Sequence, residues 1–390
     1  MAPPTAETRR PSGRDSSRRP RLTAVATAVP PVRVDQATAR EFARLHFGGR
    51  IRNVDRLLPV FDHTGILTRY TSMPIEWFAE PHDLAEKNDA YVESATDLSA
   101  TAATRALERA GLEPADVDYL LYVNSTGLAT PSIDARLINR LGFRRDVRRT
   151  PVWGLGCAGG ASGLSHAHHH LLGHPEERVL VIATELCTLT WMPNDISKSN
   201  LVATALFGDG SGAAVVEGAA ARRAVRAGDR RRAARGPANG DGVVDAGLEI
   251  LATRSTFFPD SLDVMGWNVQ TTGLQVVFAQ RIPDIVEAHA REDARAFLAE
   301  HGLDLPDVSA FLLHPGGTKV LAAYERAYGL TDGALDLSRE VLRDYGNMSS
   351  ATVLFVLERY LERRAAGGGG FGLVSALGPG FSAESLLLGL

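Results

Sequence analysis

Residues 110–122 read Ala-Gly-Leu-Glu-Pro-Ala-Asp-Val-Asp-Tyr-Leu-Leu-Tyr, and residues 301–313 read His-Gly-Leu-Asp-Leu-Pro-Asp-Val-Ser-Ala-Phe-Leu-Leu. The two align without a gap at an offset of 191 (301 − 110). Each follows a helix-like segment, residues 94–110 and 283–301, and each helix stops at a glycine, Gly111 or Gly302. Glycine ends helices readily because it takes the left-handed conformation without strain. Each copy then turns through Asp-Val into a short apolar run that reads as a buried strand. Downstream, Gly156-Cys157 opens Ala-Gly-Gly-Ala-Ser-Gly-Leu, and Gly346-Asn347 opens Met-Ser-Ser-Ala-Thr-Val-Leu, at an offset of 190 (346 − 156). Both stretches run into helices, followed by apolar strands over residues 179–184 and 371–376. Helix, strand, helix, strand, written twice, predicts an α/β fold of two similar halves. If the halves pack about a pseudo-twofold axis, Cys157 and Asn347 occupy equivalent helix N-termini and face a common cavity.

The whole chain has 390 residues and a mass of 41.8 kDa, room for two to three units or one large duplicated fold. It is 44% hydrophobic and 23% charged, which excludes disorder as the main state. A net charge of −4 gives no global reason to bind nucleic acid. No window approaches 18 consecutive apolar residues, so no stable membrane insertion is expected. Two cysteines, Cys157 and Cys187, exclude a disulfide framework and a four-cysteine zinc site, and fit a reduced, cytoplasmic setting. Three of the 42 basic residues are lysine (Lys87, Lys198, Lys319), which reads as a coding bias. Residues 1–22 read as a disordered Arg/Pro-rich tail without the apolar core of a signal peptide. The expected organisation is a first half over 23–218 carrying the cysteine, a low-complexity insertion over 219–242, and a second half over 243–390 carrying His314 and Asn347. Residues 367–370 read as a loop.

Cys157 lies in Trp153-Gly-Leu-Gly-Cys-Ala-Gly-Gly-Ala-Ser-Gly163, where small residues permit a tight strand-to-helix turn. The positive end of a helix dipole favours thiolate there, a nucleophile for acyl transfer from a thioester. The same segment alone equally suits a small buried hydrophobe. Cys187 follows an apolar strand with no glycine turn and reads as core. His314 ends an apolar strand before Pro315-Gly-Gly317, placed to reach a cavity or to serve as a structural histidine. Asn347 alone reads as a helix cap. Together the three are more specific. Cysteine supplies the nucleophile, histidine raises its thiolate fraction, and histidine and asparagine both donate to one oxyanion. The enolate left when a malonyl thioester loses CO₂ needs such a pair of donors.

Five stretches share one order with a known family: Gly156-Cys-Ala-Gly-Gly160, Leu206-Phe-Gly-Asp-Gly210, His314-Pro-Gly-Gly317, Tyr345-Gly-Asn-Met-Ser-Ser350 and Gly378-Pro-Gly380. On these the sequence resembles the type III polyketide synthases, the chalcone-synthase-like enzymes, over roughly residues 25–390. The resemblance implies a thiolase fold, a duplicated αβαβα five-layered sandwich. It implies an acyltransferase that condenses malonyl-CoA units onto an acyl-CoA starter held on Cys157, with His314 and Asn347 stabilising the enolate and the oxyanion. No cofactor beyond these CoA thioesters is implied. Phe207 matches the gatekeeper phenylalanine between the CoA tunnel and the cavity, and Ser349 a position near the chain-folding surface. A homodimer is expected, with Thr130, in Ser125-Thr-Gly-Leu-Ala-Thr-Pro131, reaching the neighbour's pocket.

The sequence also departs from the family. Val276 stands where a second gatekeeper is often phenylalanine, implying a wider mouth. Of the basic cluster expected for the CoA phosphates, Arg56 fits, while Pro59 and His63 stand where basic residues are expected; Arg50, Arg52 or Arg69 are candidates to compensate. Asp263-Val-Met-Gly-Trp267, Thr184-Glu-Leu-Cys-Thr188 and Asp195-Ile-Ser-Lys-Ser-Asn200 resemble bacterial alkylresorcinol and alkylpyrone synthases. That implies a fatty acyl starter and a pyrone or resorcinol product, with Val276 and Ser125 leaving room and Trp267 shortening the tunnel if it points inward.

His166, His168, His169, His170 and His174 lie on or just past the helix behind Cys157, with 166, 170 and 174 on one face. No carboxylate accompanies them within the segment, and they read as packing and a solvated helix end, with no metal expected. Two rival functions share the three residues. One is a ketoacyl-ACP synthase III-like condensing enzyme. The other is a Cys/His/Asn thioester hydrolase, in which the asparagine would orient the histidine.

Overall fold

The computed structural model describes residues 19–221, 247–364 and 369–390. The expected tail up to residue 18 and most of the expected insertion lie outside them. The first half runs β1 (Arg21–Ala28), β2 (Val32–Asp35), α1 (Gln36–Phe47), α2 (Pro59–His63), β3 (Thr68–Thr71), α3 (Leu84–Ala110), β4 (Tyr119–Asn124), α4 (Ile133–Leu141), β5 (Arg148–Trp153), α5 (Gly159–Gly173), β6 (Arg178–Leu186), α6 (Lys198–Leu206) and β7 (Asp209–Glu217). The second runs β8 (Leu248–Phe257), β9 (Met265–Gln270), β10 (Gly273–Phe278), α7 (Ile282–Ala299), β11 (Val308–Leu313), α8 (Thr318–Tyr328), α9 (Asp336–Tyr345), α10 (Thr352–Arg363), β12 (Phe371–Gly378) and β13 (Ser382–Gly389).

Nine strands are hydrogen-bonded in the order β11-β12-β13-β8-β1-β7-β6-β4-β5. The duplication is written in this order. Parallel β4–β6 matches parallel β11–β12, and antiparallel β6–β7 and β7–β1 match β12–β13 and β13–β8. The halves meet at β1 and β8 through only two pairs, Arg21↔Glu249 and Leu22↔Leu248. Arg21 and Leu22 therefore belong to a strand, not to the tail assigned to them from composition. Leu22 is buried between the sheet and the central helices, and burying a leucine contributes about 1.5–3 kcal/mol. At the other boundary, Ala221 is buried, and the N–H groups of Ala220 and Ala221 donate to Pro175 O, so the first half continues past residue 218.

Three apolar clusters fill the four interfaces between five structural layers, the central one filling two. On the first half, α3 packs Ala95, Ala102, Ala106 and Leu107 against Leu120, Tyr122, Leu180 and Ile182. In the centre, α5 and α10 are sandwiched by strands of both halves: Leu164, Leu171, Val353 and Leu354 meet Leu121, Val181, Val374 and Leu386. On the second half, α7 and α8 cover Phe311, Leu313, Leu373 and Leu387. Residues one apart on a strand thus feed different layers, as side-chain alternation requires. This is the duplicated αβαβα sandwich, the thiolase fold. The central helices approach closely because Gly160 has no side chain. A Cβ there would lie 2.2 Å from Ser350 O.

Two helix limits differ from the sequence reading. Helix α3 starts at Leu84 because Asp83 caps it: the Asp83 carboxylate accepts from Glu86 N–H and the Glu86 carboxylate from Asp83 N–H. Helix α7 ends at Ala299, and Gly302, in the left-handed region, follows a short turn.

Candidate active site

Strand β5 ends at Trp153, and a single turn, Gly156–Ala158, delivers Cys157 to the start of α5. Gly156 is required twice over. Its φ is +48°, and a Cβ would sit 2.6 Å from Pro379 Cδ. The Gly378-Pro-Gly380 motif is thus the floor on which the cysteine turn rests. In the second half, the turn Ser349–Ala351 delivers Asn347 and Ser349 to the start of α10 in the same manner. The equivalence expected from the repeat holds at the level of the backbone.

Cys157 is buried. Burial pushes its thiol up to about 12, with the nearby Ser349 and Asn347 side chains acting against that rise. The carboxyl of Glu185 pushes in the same direction as burial. The thiolate expected from the helix dipole is therefore not the resting form, because loss of water outweighs a terminal dipole. His314 is also buried, at the end of β11, with its N–H on Ser375 O at 2.8 Å. Burial pushes its imidazole down to about 3. Both groups therefore rest neutral, and the thiol must lose its proton to act as a nucleophile.

Asn347 joins the two. Its Nδ2 donates to Gly316 O at 3.3 Å, and Gly316 lies beside the His314 ring. Its Oδ1 accepts from Ser349 N–H at 2.8 Å. Its backbone forms a bridge with Phe207: Asn347 N–H donates to Leu206 O at 2.8 Å and Gly208 N–H to Asn347 O at 3.0 Å. Neither ring nitrogen of His314 has a hydrogen-bond partner among the described residues. Asn347 therefore does not orient the imidazole, as a hydrolase triad would require. Both side chains are left to donate to substrate.

Glu185 was missed in the sequence. It is fully buried at the end of β6 and accepts from Ser125 N–H (2.9 Å), Ser125 Oγ (3.0 Å), Thr126 Oγ1 (2.7 Å) and Ser350 Oγ (2.6 Å). Burial still raises its carboxyl above the usual range. Ser125, expected as a pocket residue, is turned onto Glu185. A carboxylate in the run from Val179 to Leu186, apolar up to Thr184, was the signal available.

A narrow apolar cavity of about 80 Å³ is lined by Phe42, Phe78, Cys187, Trp191, Phe207 and Val276; Cys157, His314 and Asn347 are not among its lining residues. Cys187, read as plain core, lines it. On the open side a groove of about 640 Å³ runs past Gly316 and Gly317, lined by Arg56, His63, Lys198 and Lys319.

Residues 9–220 match the family model for the N-terminal domain of chalcone and stilbene synthases, and residues 249–389 the model for the C-terminal domain. The chain belongs to the chalcone and stilbene synthase family. It is 40% identical to a putative chalcone synthase of Bacillus subtilis over 371 residues, covering 94% of this chain and 97% of the relative. It is 42% identical to a 1,3,6,8-tetrahydroxynaphthalene synthase of Streptomyces peucetius over 372 residues, covering 94% and 92%. The crystal structure of the 1,3,6,8-tetrahydroxynaphthalene synthase of Streptomyces coelicolor, a bacterial type III polyketide synthase, superposes with a TM-score of 0.84 at 29% identity, covering 95% of this chain and 99% of that one. This member of the family is accordingly a type III polyketide synthase, an acyltransferase; such enzymes use acyl-CoA and malonyl-CoA.

Within this synthase, the expected pocket residues sort as follows. Phe207 lines the cavity. Val276 lines the cavity. Its cross-strand partner Trp267 packs on Phe207, with ring centroids 6.2 Å apart. Arg56 lines the groove. Arg50 does not compensate there: it donates to Pro193 O at 2.7 Å. Nor does Arg69, whose buried guanidinium donates to the carbonyls of Thr204 (2.7 Å), Ala205 (2.8 Å) and Phe207 (2.9 Å) at the end of α6. Arg52 is not among the groove residues. Two further cations, Lys198 and Lys319, from the lysine set first read as coding bias, line the groove beside Arg56. Thr130 is exposed and lies off the cavity of its own chain. The histidine helix does meet carboxylates. His170 Nε2 contacts Glu177 at 2.7 Å, Arg148 shares that carboxylate, and His174 stands beside Glu176 and Glu177. Among the described residues no helix is long and apolar enough to cross a membrane.

Proposed function

We propose that Cys157 accepts an aliphatic acyl group from acyl-CoA, extends it with malonyl-CoA, and releases a cyclised pyrone or resorcinol. The CoA arm lies in the groove, its phosphates near Arg56, Lys198 and Lys319. His314 takes the thiol proton as Cys157 attacks the thioester carbonyl and returns it to the departing CoA thiolate. Malonyl-CoA then loses CO₂, and the enolate oxygen accepts hydrogen bonds from His314 and Asn347. The enolate carbon attacks the acyl group on Cys157, the cysteine thiolate leaves, and a β-ketoacyl-CoA two carbons longer is free to reload. The observation that carries this reading is the side chain of Asn347. It is placed between the thiol and the His314–Gly316 corner and spends no bond on the imidazole. Pre-set donors of this kind are worth about 10²–10³ in rate each.

The apolar lining of the cavity supports an aliphatic starter. The names of the Streptomyces relatives favour a second reading, a tetrahydroxynaphthalene product. Mass spectrometry of products from malonyl-CoA and an acyl-CoA series, acetyl to stearoyl, separates the two. Pyrones or resorcinols carrying the starter's chain support the first. A tetrahydroxynaphthalene from malonyl-CoA alone supports the second. Free acid alone would overturn both. A homodimer in the cytoplasm, needing no cofactor, belongs to the same proposal.

A further inference from the structure

The third lysine has no place in the catalytic chemistry, yet it is as buried as the core. Lys87 lies in the first turns of α3, 5% exposed, and its Nζ donates to Trp191 O at 2.6 Å and Thr272 O at 3.3 Å. Trp191 is a wall of the apolar cavity. Thr272 is in the turn between β9 and β10, the hairpin that carries Trp267 and Val276. One ammonium therefore ties the Trp191 wall of the cavity to the hairpin that carries Val276. A second tie follows along the same strand: Gln275 Nε2 donates to Asp195 Oδ2 at 3.2 Å. The turn packs directly on the lysine, since a Cβ at Gly273 would lie 3.5 Å from Nζ.

A buried cation held by two carbonyls is a costly way to fill space, and a methionine of similar length would fill it without desolvation. The cost is visible in its acidity: burial pushes Lys87 down to about 8, with Asp83 one turn earlier acting against it. Lysine's compact head fits where a planar guanidinium would not, in a chain where 39 of 42 basic residues (42 − 3) are arginine.

We propose that Lys87 is a positioning residue that sets the width of the acyl cavity by tying the β9–β10 hairpin to Trp191, and thereby selects starter length. This rests on the reading that the acyl chain lies in that cavity. A cavity of about 80 Å³ accepts a longer chain only if the hairpin gives way, and Lys87 and Gln275 are what hold it.

The test measures kcat/KM across the acetyl-to-stearoyl CoA series for the wild type, Lys87→Met and Gln275→Ala, with acylation of Cys157 followed by intact-protein mass spectrometry. Lys87→Met should raise the long-to-short preference about tenfold, the scale of a changed pocket contact, and Lys87→Arg should not restore the wild-type profile. Gln275→Ala should shift the profile the same way by less. It removes no buried charge, so it carries the test if Lys87→Met does not fold. Parallel loss of rate at every chain length in both variants would show a merely structural role and overturn the proposal. A wild type that loads no acyl group onto Cys157 at any length would instead overturn the reading of the cavity, and this inference with it.

Discussion

Phe207 and Asn347 form a backbone bridge, so the Phe207 ring and the Asn347 amide are positioned by one pair of hydrogen bonds. The two residues come from different halves of the chain, and the bridge is where the duplication closes over the site. Asn347→Ala keeps both main-chain bonds and removes only the side chain. The expected outcome is a fall of about 10²–10³ in kcat for malonyl-CoA decarboxylation with the fold retained. Stopped-flow detection of CO₂ beside a circular-dichroism melt checks it.

Trp267 rests on Phe207 and is only half-buried, so its removal should cost the fold little while opening the mouth. Trp267→Ala is expected to lower the melting point by a few degrees and to lengthen the products. An aromatic pair is worth about 0.5–1.5 kcal/mol. Chromatography and mass spectrometry of the product ladder give the answer. An unchanged ladder would show that the ring does not limit the space.

Lys198 and Lys319 sit in the groove, away from the thiol. Lys198→Ala with Lys319→Ala should raise KM for the CoA thioester about tenfold and leave kcat near the wild type, the signature of lost uniform binding. Added salt should raise the wild-type KM and change that of the double variant less, since screening acts on charges that are still present. Steady-state kinetics at two ionic strengths measures both.

The buried pair makes stability depend on pH in two windows. His314 is pushed from 6.5 down to about 3, so the unfolded chain binds its proton first. Stability from this group is present above 6.5 and lost as pH falls toward 3. Cys157 is pushed from 9 up to about 12, so the unfolded chain loses its proton first, and stability is present below 9 and lost as pH rises toward 12. His314→Gln should therefore lose less stability than the wild type between pH 7 and about 4. Cys157→Ala should lose less between pH 9 and about 11. Denaturant melts across the range measure this, and parallel curves for variant and wild type would contradict it.

Much of this was legible because the chain repeats itself. The matched runs at 110–122 and 301–313 gave the layers, and the paired openings at Gly156-Cys157 and Gly346-Asn347 gave the site, since each motif fixes a local turn. What escaped depended on contacts distant in sequence. Glu185 was one polar residue in a strand until Ser125, Thr126 and Ser350 converged on it from two other segments. Lys198 and Lys319 carry no motif, and only the groove unites them with Arg56. The register of β9 against β10 put Trp267 opposite Val276, a pairing that no motif announces. The protonation of Cys157 was misjudged because a helix terminus is visible in sequence and the loss of solvent is not.

The most direct measurement of the central claim is peptide mapping of the enzyme quenched with an acyl-CoA starter, followed by a chase with malonyl-CoA. The account predicts an acyl mass on the peptide containing Cys157 and none on that containing Cys187. The chase should move that acyl group into a product longer than the starter. An adduct on another residue, or a chase by water alone to the free acid, would contradict it.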